Sequence, residues 1–469
     1  MTLTTTQTFI DHQRIEALLR SPATTPDPGR VGELLDRAMD LKGLTTEEAA
    51  VLTRVTDPEA IGRMYEVART IKDTIYGRRL VIFAPLYISN ICQNECLYCG
   101  FRASNRDLDR RALDAPEITQ QVQALIDQGH KRVLLVAGEG YPEDGFDYVL
   151  RAVRAVYAAG EGAANIRRVN VNVAPLTIEE FRRLAGEAIG TYQLFQETYH
   201  HPTYLEVHAG GRKRDYAWRL EAMDRAMEAG IDDVGIGVLF GLADWRFEIL
   251  AMLEHAQHLE TQFGVGPHTI SVPRLEPAPG APLATDPPQP VSDDEFKRIV
   301  AILRIAVPYT GIILSTRESI AMRRAAFDLG VSQISAGSRT EPGGYAAAHP
   351  GHERESCQFA LGDHRSLDEV IGDCARLGYI PSFCTACYRL GRTGADFMDL
   401  AKPGAIKSHC DPNALATFME YLLDYASEDT QRAGRQCIDR ALADLPTAAA
   451  SRARQMLAEV QAGRRDVFC

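Results

Sequence analysis

The chain has 469 residues and a formal net charge of −12 at pH 7. Charged residues make up 24% of it and hydrophobic residues 45%, an ordinary globular mixture that excludes a disordered chain. The acidic balance argues against nucleic-acid binding as the main function, and no run approaches the roughly 18 apolar residues of a membrane span. Residues 1–6 lack the basic and apolar regions of a signal peptide, so we expect a cytoplasmic protein.

Residues 1–79 are predicted to form a helical extension. Apolar positions recur at three- and four-residue steps over 11–20, 30–41 and 57–75. The segment Thr45-Thr-Glu-Glu48 has the form of a capping box and predicts the start of a further helix. No catalytic pattern occurs in this part, and we expect it to pack against the residues that follow.

Residues 80–378 are predicted to form an α/β domain in which strands and helices alternate. Helix-start signals occur between the predicted strands, as at 114–117, 177–180 and 292–295. Eight strands with intervening helices favour a closed (β/α)8 TIM barrel over an open sheet. The strands are predicted at 80–88, 132–137, 168–173, 191–195, 233–239, 268–272, 311–315 and 331–336.

Three cysteines follow the first predicted strand at C-x3-C-x2-C spacing: Cys92, Cys96 and Cys99. Zinc sites and iron–sulfur clusters usually have four protein ligands. A trio therefore favours a 4Fe-4S cluster with one iron left open for another ligand. The alternatives are three unrelated buried thiols, or a zinc knuckle whose fourth ligand lies elsewhere.

Residues 379–469 are predicted to form a third, mostly helical domain with a second cysteine group. Cys384, Cys387 and Cys410 are spaced C-x2-C-x22-C. Six of the ten cysteines thus fall into two groups, which indicates metal binding in a reducing compartment rather than a disulfide framework. No role is predicted for the scattered cysteines, which are Cys357, Cys374, Cys437 and Cys469.

The first cysteine group and its aromatic-Cys-Gly-Phe ending, Tyr98 to Phe101, resemble the signature of the radical S-adenosylmethionine (SAM) superfamily. That resemblance implies a 4Fe-4S cluster whose open iron binds SAM, and a 5′-deoxyadenosyl radical. It also implies cofactor-binding roles for residues near the ends of predicted strands. Gly138-Glu139 resembles the motif that holds the SAM amino group, and Arg219 is expected to pair with the SAM carboxylate. The implied cofactor-binding set is Tyr98, Gly138, Glu139, Glu197 and Arg219.

Several longer segments resemble the aromatic amino-acid lyases of this superfamily, which implies L-tyrosine as the substrate. They are 196–199, 235–246, 315–318 and 335–344. Two kinds of tyrosine lyase are candidates, one of thiamine biosynthesis and one of FeFe-hydrogenase maturation. The second cysteine group favours the maturation type, which carries an auxiliary cluster. That type cleaves tyrosine to p-cresol and dehydroglycine, and from the latter yields carbon monoxide and cyanide for an Fe(CO)2(CN) synthon.

Further predictions follow from position and from this resemblance. Arg317 and Ser335, by the seventh and eighth predicted strands, are expected to bind the tyrosine carboxylate and are the predicted catalytic residues. His268 begins the sixth predicted strand, at the opposite end of the barrel. A lone histidine is more often a core or surface residue, but there it can ligate a labile extra iron on the auxiliary 4Fe-4S cluster. Asn170 and Asn172 are candidates for lining an internal passage.

The implied partners are an electron donor such as ferredoxin or flavodoxin, and other hydrogenase maturases. A rival interpretation is a binding protein in which the second cysteine group forms a structural zinc site and the barrel serves as a scaffold.

Overall fold

The computed structural model describes residues 8–142, 144–346 and 357–469. The prediction that the chain has no signal peptide rests on residues 1–6, which lie outside these ranges. Within them, no helix combines the length and apolar character that a membrane crossing requires.

Four α-helices precede the barrel in the described part of the chain, and each follows a residue whose side chain accepts a hydrogen bond from the first turn. Thr45 and Glu48 form the predicted capping box, with both reciprocal bonds present. Asp57 accepts from the Ala60 amide and is followed by a proline, which suits the first helical position. The fourth helix packs on a barrel helix, Asp293–Ala306. The four helices are His12–Arg20, Pro28–Ala38, Thr46–Thr53 and Pro58–Ile75.

Eight parallel strands form a closed barrel, as predicted. Each strand pairs with its neighbour in chain order, and the last strand pairs with the first through Val81 to Phe83 against Gln333 to Ser335. The strands are β1 (Arg79–Ser89), β2 (Arg132–Ala137), β3 (Arg168–Asn172), β4 (Tyr192–Gln193), β5 (Val234–Gly237), β6 (Thr269–Ser271), β7 (Gly311–Leu314) and β8 (Gln333–Ser335).

Helices cover the outside of the barrel between its strands. The longest, Trp245–Phe263, is capped by Asp244 and ends at Gly264 in the left-handed conformation that glycine accepts without strain. The others are Ala115–Asp127, Asp147–Ala158, Ile178–Ala185, His201–Val207, Tyr216–Leu220, Ala222–Glu228, Pro282–Thr285, Asp293–Ala306 and Ile320–Leu329.

A ninth strand joins the carboxyl-terminal part to the barrel. This strand, β9 (Ile380–Ser382), pairs in parallel with the first residues of β1, with Arg79 opposite Ile380. Cys384 follows it two residues later, so the second cysteine group begins at the amino-terminal end of the barrel strands. The surrounding helices are Leu367–Arg376, Ala386–Arg389, Gly394–Ala401, Lys407–Asp424, Glu428–Asp444 and Thr447–Gln461.

One hydrophobic core runs through all of these parts. It includes Leu35 of the amino-terminal helices, Val171 of the barrel and Leu422 of the carboxyl-terminal helices. The division into domains at 1–79, 80–378 and 379–469 stays a prediction.

Candidate active site and second cysteine site

The first cysteine group lies in a loop that borders a cavity at the carboxyl-terminal end of the barrel. A two-residue strand, Glu95–Cys96, pairs with His208–Gly210 and fixes the middle of the loop. The Leu97 amide adds a 2.9 Å hydrogen bond to the Val207 carbonyl. Cys96 is buried, while Cys92 and Cys99 are partly exposed.

Gly138 holds that loop by close backbone contact. A Cβ atom at this position would lie 2.3 Å from the Ile91 carbonyl oxygen, and the Gly138 amide donates to Ser89 at 2.8 Å. A side chain here would therefore push the cysteine loop away from β2. The structure thus gives Gly138 a packing role beside the cluster loop.

Four charged side chains form a neutral cluster beside the cysteines. Arg219 contacts Glu139 at 2.8 Å and Glu197 at 3.5 Å, and Lys213 contacts Glu197 at 2.7 Å and Glu139 at 3.8 Å. Asn94, between Cys92 and Cys96, donates to Glu139 at 2.7 Å. The cluster therefore connects three segments that the chain keeps far apart.

Nearby opposite charges keep Glu139 ionised in spite of its burial. Burial raises the pKa of Glu139, but the charges of Arg219 and Lys213 outweigh that effect and lower it below its usual value. Burial also raises the pKa of the Cys92 thiol, to about 11. Lys213 opposes the same effect of burial on the pKa of Cys96, so it favours the thiolate that a cluster needs.

Arg219 already uses its guanidinium within the protein. Its Nε donates to the Phe195 carbonyl at 2.7 Å, and its two other nitrogens face Glu139 and Glu197. In this arrangement Arg219 orients the two carboxylates. A direct contact with the SAM carboxylate stays a prediction, and the sequence interpretation missed Lys213 as a second cation.

The backbone of Glu197 is held in a strained conformation, with φ at 71°. Glu248 holds the next two residues by hydrogen bonds. Its carboxylate accepts from the Thr198 hydroxyl and, at 2.8 Å, from the Tyr199 amide. Burial raises the pKa of Glu248 to about 7. These hydrogen bonds set the direction in which the Glu197 carboxylate enters the cavity.

Tyr98 lines the cavity, and its hydroxyl points to a buried histidine. The Nδ1 of His208 lies 2.8 Å from the Tyr204 carbonyl, which can only accept, so Nε2 is the acceptor for the Tyr98 hydroxyl at 2.7 Å. The ring is thereby fixed next to Cys96 and Cys99.

Arg317 and Ser335 lie in the same cavity. The Arg317 guanidinium stacks on the Phe359 ring, 3.2 Å from its centroid, and no described carboxylate lies within ion-pair distance of it. Burial lowers the pKa of Arg317. The Ser335 hydroxyl accepts from the Thr316 amide at 3.1 Å, so its own proton stays available for a ligand.

The second cysteine group lines another cavity, at the amino-terminal ends of the strands. Cys384, Cys387, Cys410 and His268 all border it. His268 lies one residue before β6, and its Nδ1 is 3.5 Å from the Asp233 carboxylate. The structure therefore brings the predicted iron ligand and the three cysteines to one place.

The two asparagines of β3 differ in their surroundings. Asn172 lines the first cavity and donates to the Gln193 carbonyl at 2.8 Å. Asn170 accepts from the Thr191 amide at 3.1 Å and borders neither cavity.

The donor sets suit iron–sulfur clusters, since each consists of three thiols beside a cavity. Among the residues of 8–142, 144–346 and 357–469, no group of three or more His, Cys, Asp or Glu side chains is placed so that it could hold a single metal ion. The first set would hold a 4Fe-4S cluster with SAM beside Glu139, Glu197 and Lys213. The second would hold an auxiliary cluster, with His268 facing it.

Comparisons with known proteins agree with this geometry. The Radical SAM superfamily model matches residues 86–253, and the Biotin and Thiamin Synthesis associated domain matches residues 271–380. A barrel with this match and this cysteine loop defines a radical SAM enzyme. The chain is 32% identical to 2-iminoacetate synthase of Escherichia coli strain K12 over 354 residues, covering 75% of this chain and 90% of that protein.

Two solved structures extend the likeness to nearly the whole chain. One is the crystal structure of HydG, a maturase of the FeFe-hydrogenase, at 47% identity and a TM-score of 0.94, covering 98% of this chain and all of that one. The other is HydG from Carboxydothermus hydrogenoformans, at 41% identity and a TM-score of 0.81, covering 95% of this chain and 96% of that one. The chain belongs to the family that contains HydG and 2-iminoacetate synthase. The predicted class, a radical SAM tyrosine lyase, is confirmed.

Proposed function

We propose that the chain cleaves the Cα–Cβ bond of L-tyrosine to p-cresol and dehydroglycine, and converts dehydroglycine to carbon monoxide and cyanide. These ligands are then assembled into an Fe(CO)2(CN) synthon for FeFe-hydrogenase maturation. The observation that carries this proposal is the presence of a cysteine-lined cavity at each end of one barrel. Likeness to HydG over 98% of the chain supports it.

In the first cavity the protein binds and orients tyrosine. The Arg317 guanidinium, which has no described carboxylate partner, receives the tyrosine carboxylate through two parallel hydrogen bonds. Ser335 donates its free hydroxyl proton to the same group. When bound, the 4Fe-4S cluster and SAM supply a 5′-deoxyadenosyl radical. Glu139, Glu197 and Lys213 hold the oppositely charged groups of SAM.

The tyrosine amino group loses one hydrogen atom, which ends in 5′-deoxyadenosine, and the Cα–Cβ bond is then cleaved. The products are dehydroglycine and a 4-hydroxybenzyl radical, which takes one electron and one proton to become p-cresol. The electron comes from the same external donor that reduces the cluster, a protein such as ferredoxin or flavodoxin. Such low-potential chemistry requires a reducing compartment, so we place the protein in the cytoplasm, in contact with other maturases.

In the second cavity the protein binds the auxiliary cluster and an extra, labile iron. Cys384, Cys387 and Cys410 supply three thiolates, and His268 supplies an imidazole nitrogen to the extra iron. We expect the Asp233 carboxylate, 3.5 Å from Nδ1, to orient the imidazole once iron is bound, as carboxylates commonly do for metal-bound histidine.

Dehydroglycine, or a fragment of it, has to pass from one cavity to the other. Polar side chains lie between them, since the Gln193 amide nitrogen is 3.5 Å from the Thr269 hydroxyl. Gly235 leaves room for both side chains, because a Cβ atom there would lie 2.4 Å from the Thr269 hydroxyl and 2.9 Å from the Gln193 side chain. Asn172 and Gln193 line the exit from the first cavity.

A 2-iminoacetate synthase activity, with dehydroglycine released for thiazole synthesis, is the second candidate. The relative that favours it matches 75% of this chain. Both candidates predict p-cresol, so p-cresol alone does not separate them. Cyanide and carbon monoxide do.

The test is an anaerobic incubation of reconstituted protein with SAM, dithionite and tyrosine, followed by assays of p-cresol, cyanide and carbon monoxide. We expect all three products, and iron and sulfide sufficient for two clusters. p-Cresol without cyanide or carbon monoxide would favour the synthase. Zinc at the second cysteine group with no p-cresol would favour the binding protein.

A further inference from the structure

Gln358 follows the barrel in sequence, yet its backbone is fixed against the first cysteine loop. Its amide donates to the Thr340 carbonyl at 3.0 Å, and its carbonyl accepts from the Gly100 amide at 3.2 Å. A Cβ atom on Gly100 would lie 3.0 Å from that same carbonyl oxygen. The residue after Cys99 is therefore in direct contact with Gln358.

The Gln358 side chain connects a buried tyrosine to a cysteine of the first group. Its Nε2 lies 3.7 Å from Cys99 Sγ, within hydrogen-bond range for sulfur, and its Oε1 accepts from the Tyr87 hydroxyl at 2.7 Å. A thiolate can only accept, so the amide nitrogen has to face the sulfur. Tyr87 then fixes that orientation by donating to the amide oxygen.

We propose that Gln358 raises the reduction potential of the first cluster by donating an N–H···S hydrogen bond to Cys99, and that Tyr87 positions Gln358 for this bond. The inference rests on the proposed function, because it requires that Cys92, Cys96 and Cys99 hold a 4Fe-4S cluster. Reduction adds one negative charge to the cluster, part of which resides on the cysteine sulfurs. A donor aimed at one sulfur stabilises the reduced form more than the oxidised form.

Gln358 differs in this respect from the charged groups nearby. Lys213 also attracts negative charge near Cys99, and its ammonium group contacts Glu197 at 2.7 Å, which offsets part of that effect. The side-chain amide of Gln358 is neutral, and its oxygen and its nitrogen are each hydrogen-bonded, to Tyr87 and Cys99 respectively. Burial raises the pKa of Tyr87 well above its usual value, so the phenol keeps the proton that it donates. A hydrogen-bonded chain therefore runs from Tyr87 through Gln358 to Cys99.

The test is a redox titration of the anaerobically reconstituted protein, followed by electron paramagnetic resonance. Added SAM identifies the signal of the first cluster, because only that cluster binds it. The signal of the second cluster is an internal reference. The variants are Gln358→Leu, which removes the donor at similar size, and Tyr87→Phe, which removes only the orienting hydroxyl. The control is Thr340→Val, which loses a 3.2 Å hydrogen bond to the Phe359 carbonyl in the same segment but has no contact with Cys99.

We expect Gln358→Leu to make reduction of the first cluster about tenfold less favourable, a shift of about 59 mV to lower potential for one electron. Tyr87→Phe should shift it in the same direction by less, and Thr340→Val should leave it unchanged, with iron and sulfide contents equal throughout. An unchanged or higher potential in Gln358→Leu would overturn the inference. So would an equal shift in Thr340→Val. Should Gln358→Leu not fold, an unchanged potential in Tyr87→Phe overturns the orienting role and with it the proposed chain. A wild-type protein that binds no cluster would overturn the proposed function itself.

Discussion

Replacement of Arg317 by lysine tests the tyrosine site directly. The guanidinium stacks on Phe359 and has no described carboxylate within ion-pair distance. Its paired nitrogens are therefore free to bind the substrate carboxylate. Lysine keeps the charge but offers a point contact, so one of two charge-assisted hydrogen bonds is lost. Such a bond contributes about 1.5–3 kcal/mol, which corresponds to about 10- to 150-fold in affinity. Lost stacking on Phe359 adds to this effect.

The assay measures initial rates of p-cresol formation against tyrosine concentration, beside deoxyadenosine formation against SAM concentration. We expect KM for tyrosine to rise by about 10- to 150-fold. We expect kcat to fall as well, because a lysine places the reacting amino group of tyrosine less accurately. KM for SAM should change little. Arg274→Lys is the matched control, since Arg274 is already paired with Glu318 and Asp293. If KM for tyrosine stays at the wild-type value in Arg317→Lys, the carboxylate binds elsewhere.

Three further predictions concern the first cluster. Alanine in place of Cys92, Cys96 or Cys99 should abolish deoxyadenosine formation, since each thiolate is one of only three protein ligands, and residual formation would contradict the assignment. Gly138→Ala should lower iron content with the fold retained, because the added Cβ meets the Ile91 carbonyl at 2.3 Å. Gly62→Ala is its control, because a Cβ atom at that helical position would meet no other atom within 4 Å. A full iron content in Gly138→Ala would refute the packing role of Gly138. Lys213→Met should weaken SAM binding measured by calorimetry, whereas Arg212→Met should not, and equal affinities would exclude Lys213 from the site.

The barrel and the positions of both cysteine groups could be predicted from the sequence. Buried parallel strands give short apolar runs at regular spacing, and residues at the ends of such strands are brought together by the barrel itself. Glu139 and Glu197 therefore both contact Arg219, although 57 residues separate them in the sequence. His268 could be placed at the second site for the same reason, since its position at the start of β6 determines the end of the barrel at which it lies.

Residues on loops could not be predicted in this way. Lys213 lies in a single helical turn, Arg212–Arg214, that follows the short strand His208–Gly210. Only the basic run Arg212-Lys213-Arg214 after two glycines could have indicated it. Gln358 contacts Cys99 across 259 residues of sequence, and no local pattern reports such a contact. The use of Arg219 within the protein is also a tertiary property, because its partners, Glu139 and Glu197, lie in the segments that follow β2 and β4.

The measurement that tests the account most directly is infrared detection of Fe–CO and Fe–CN bands beside a p-cresol assay, on the same variants. Cys387→Ala and Cys410→Ala remove ligands from the second cavity alone, and His268→Ala removes only the proposed ligand of the extra iron. We predict that all three variants keep most p-cresol formation and lose the infrared bands. If Cys387→Ala and Cys410→Ala lose p-cresol as completely as Cys92→Ala, the proposal of two sites with separate functions is wrong.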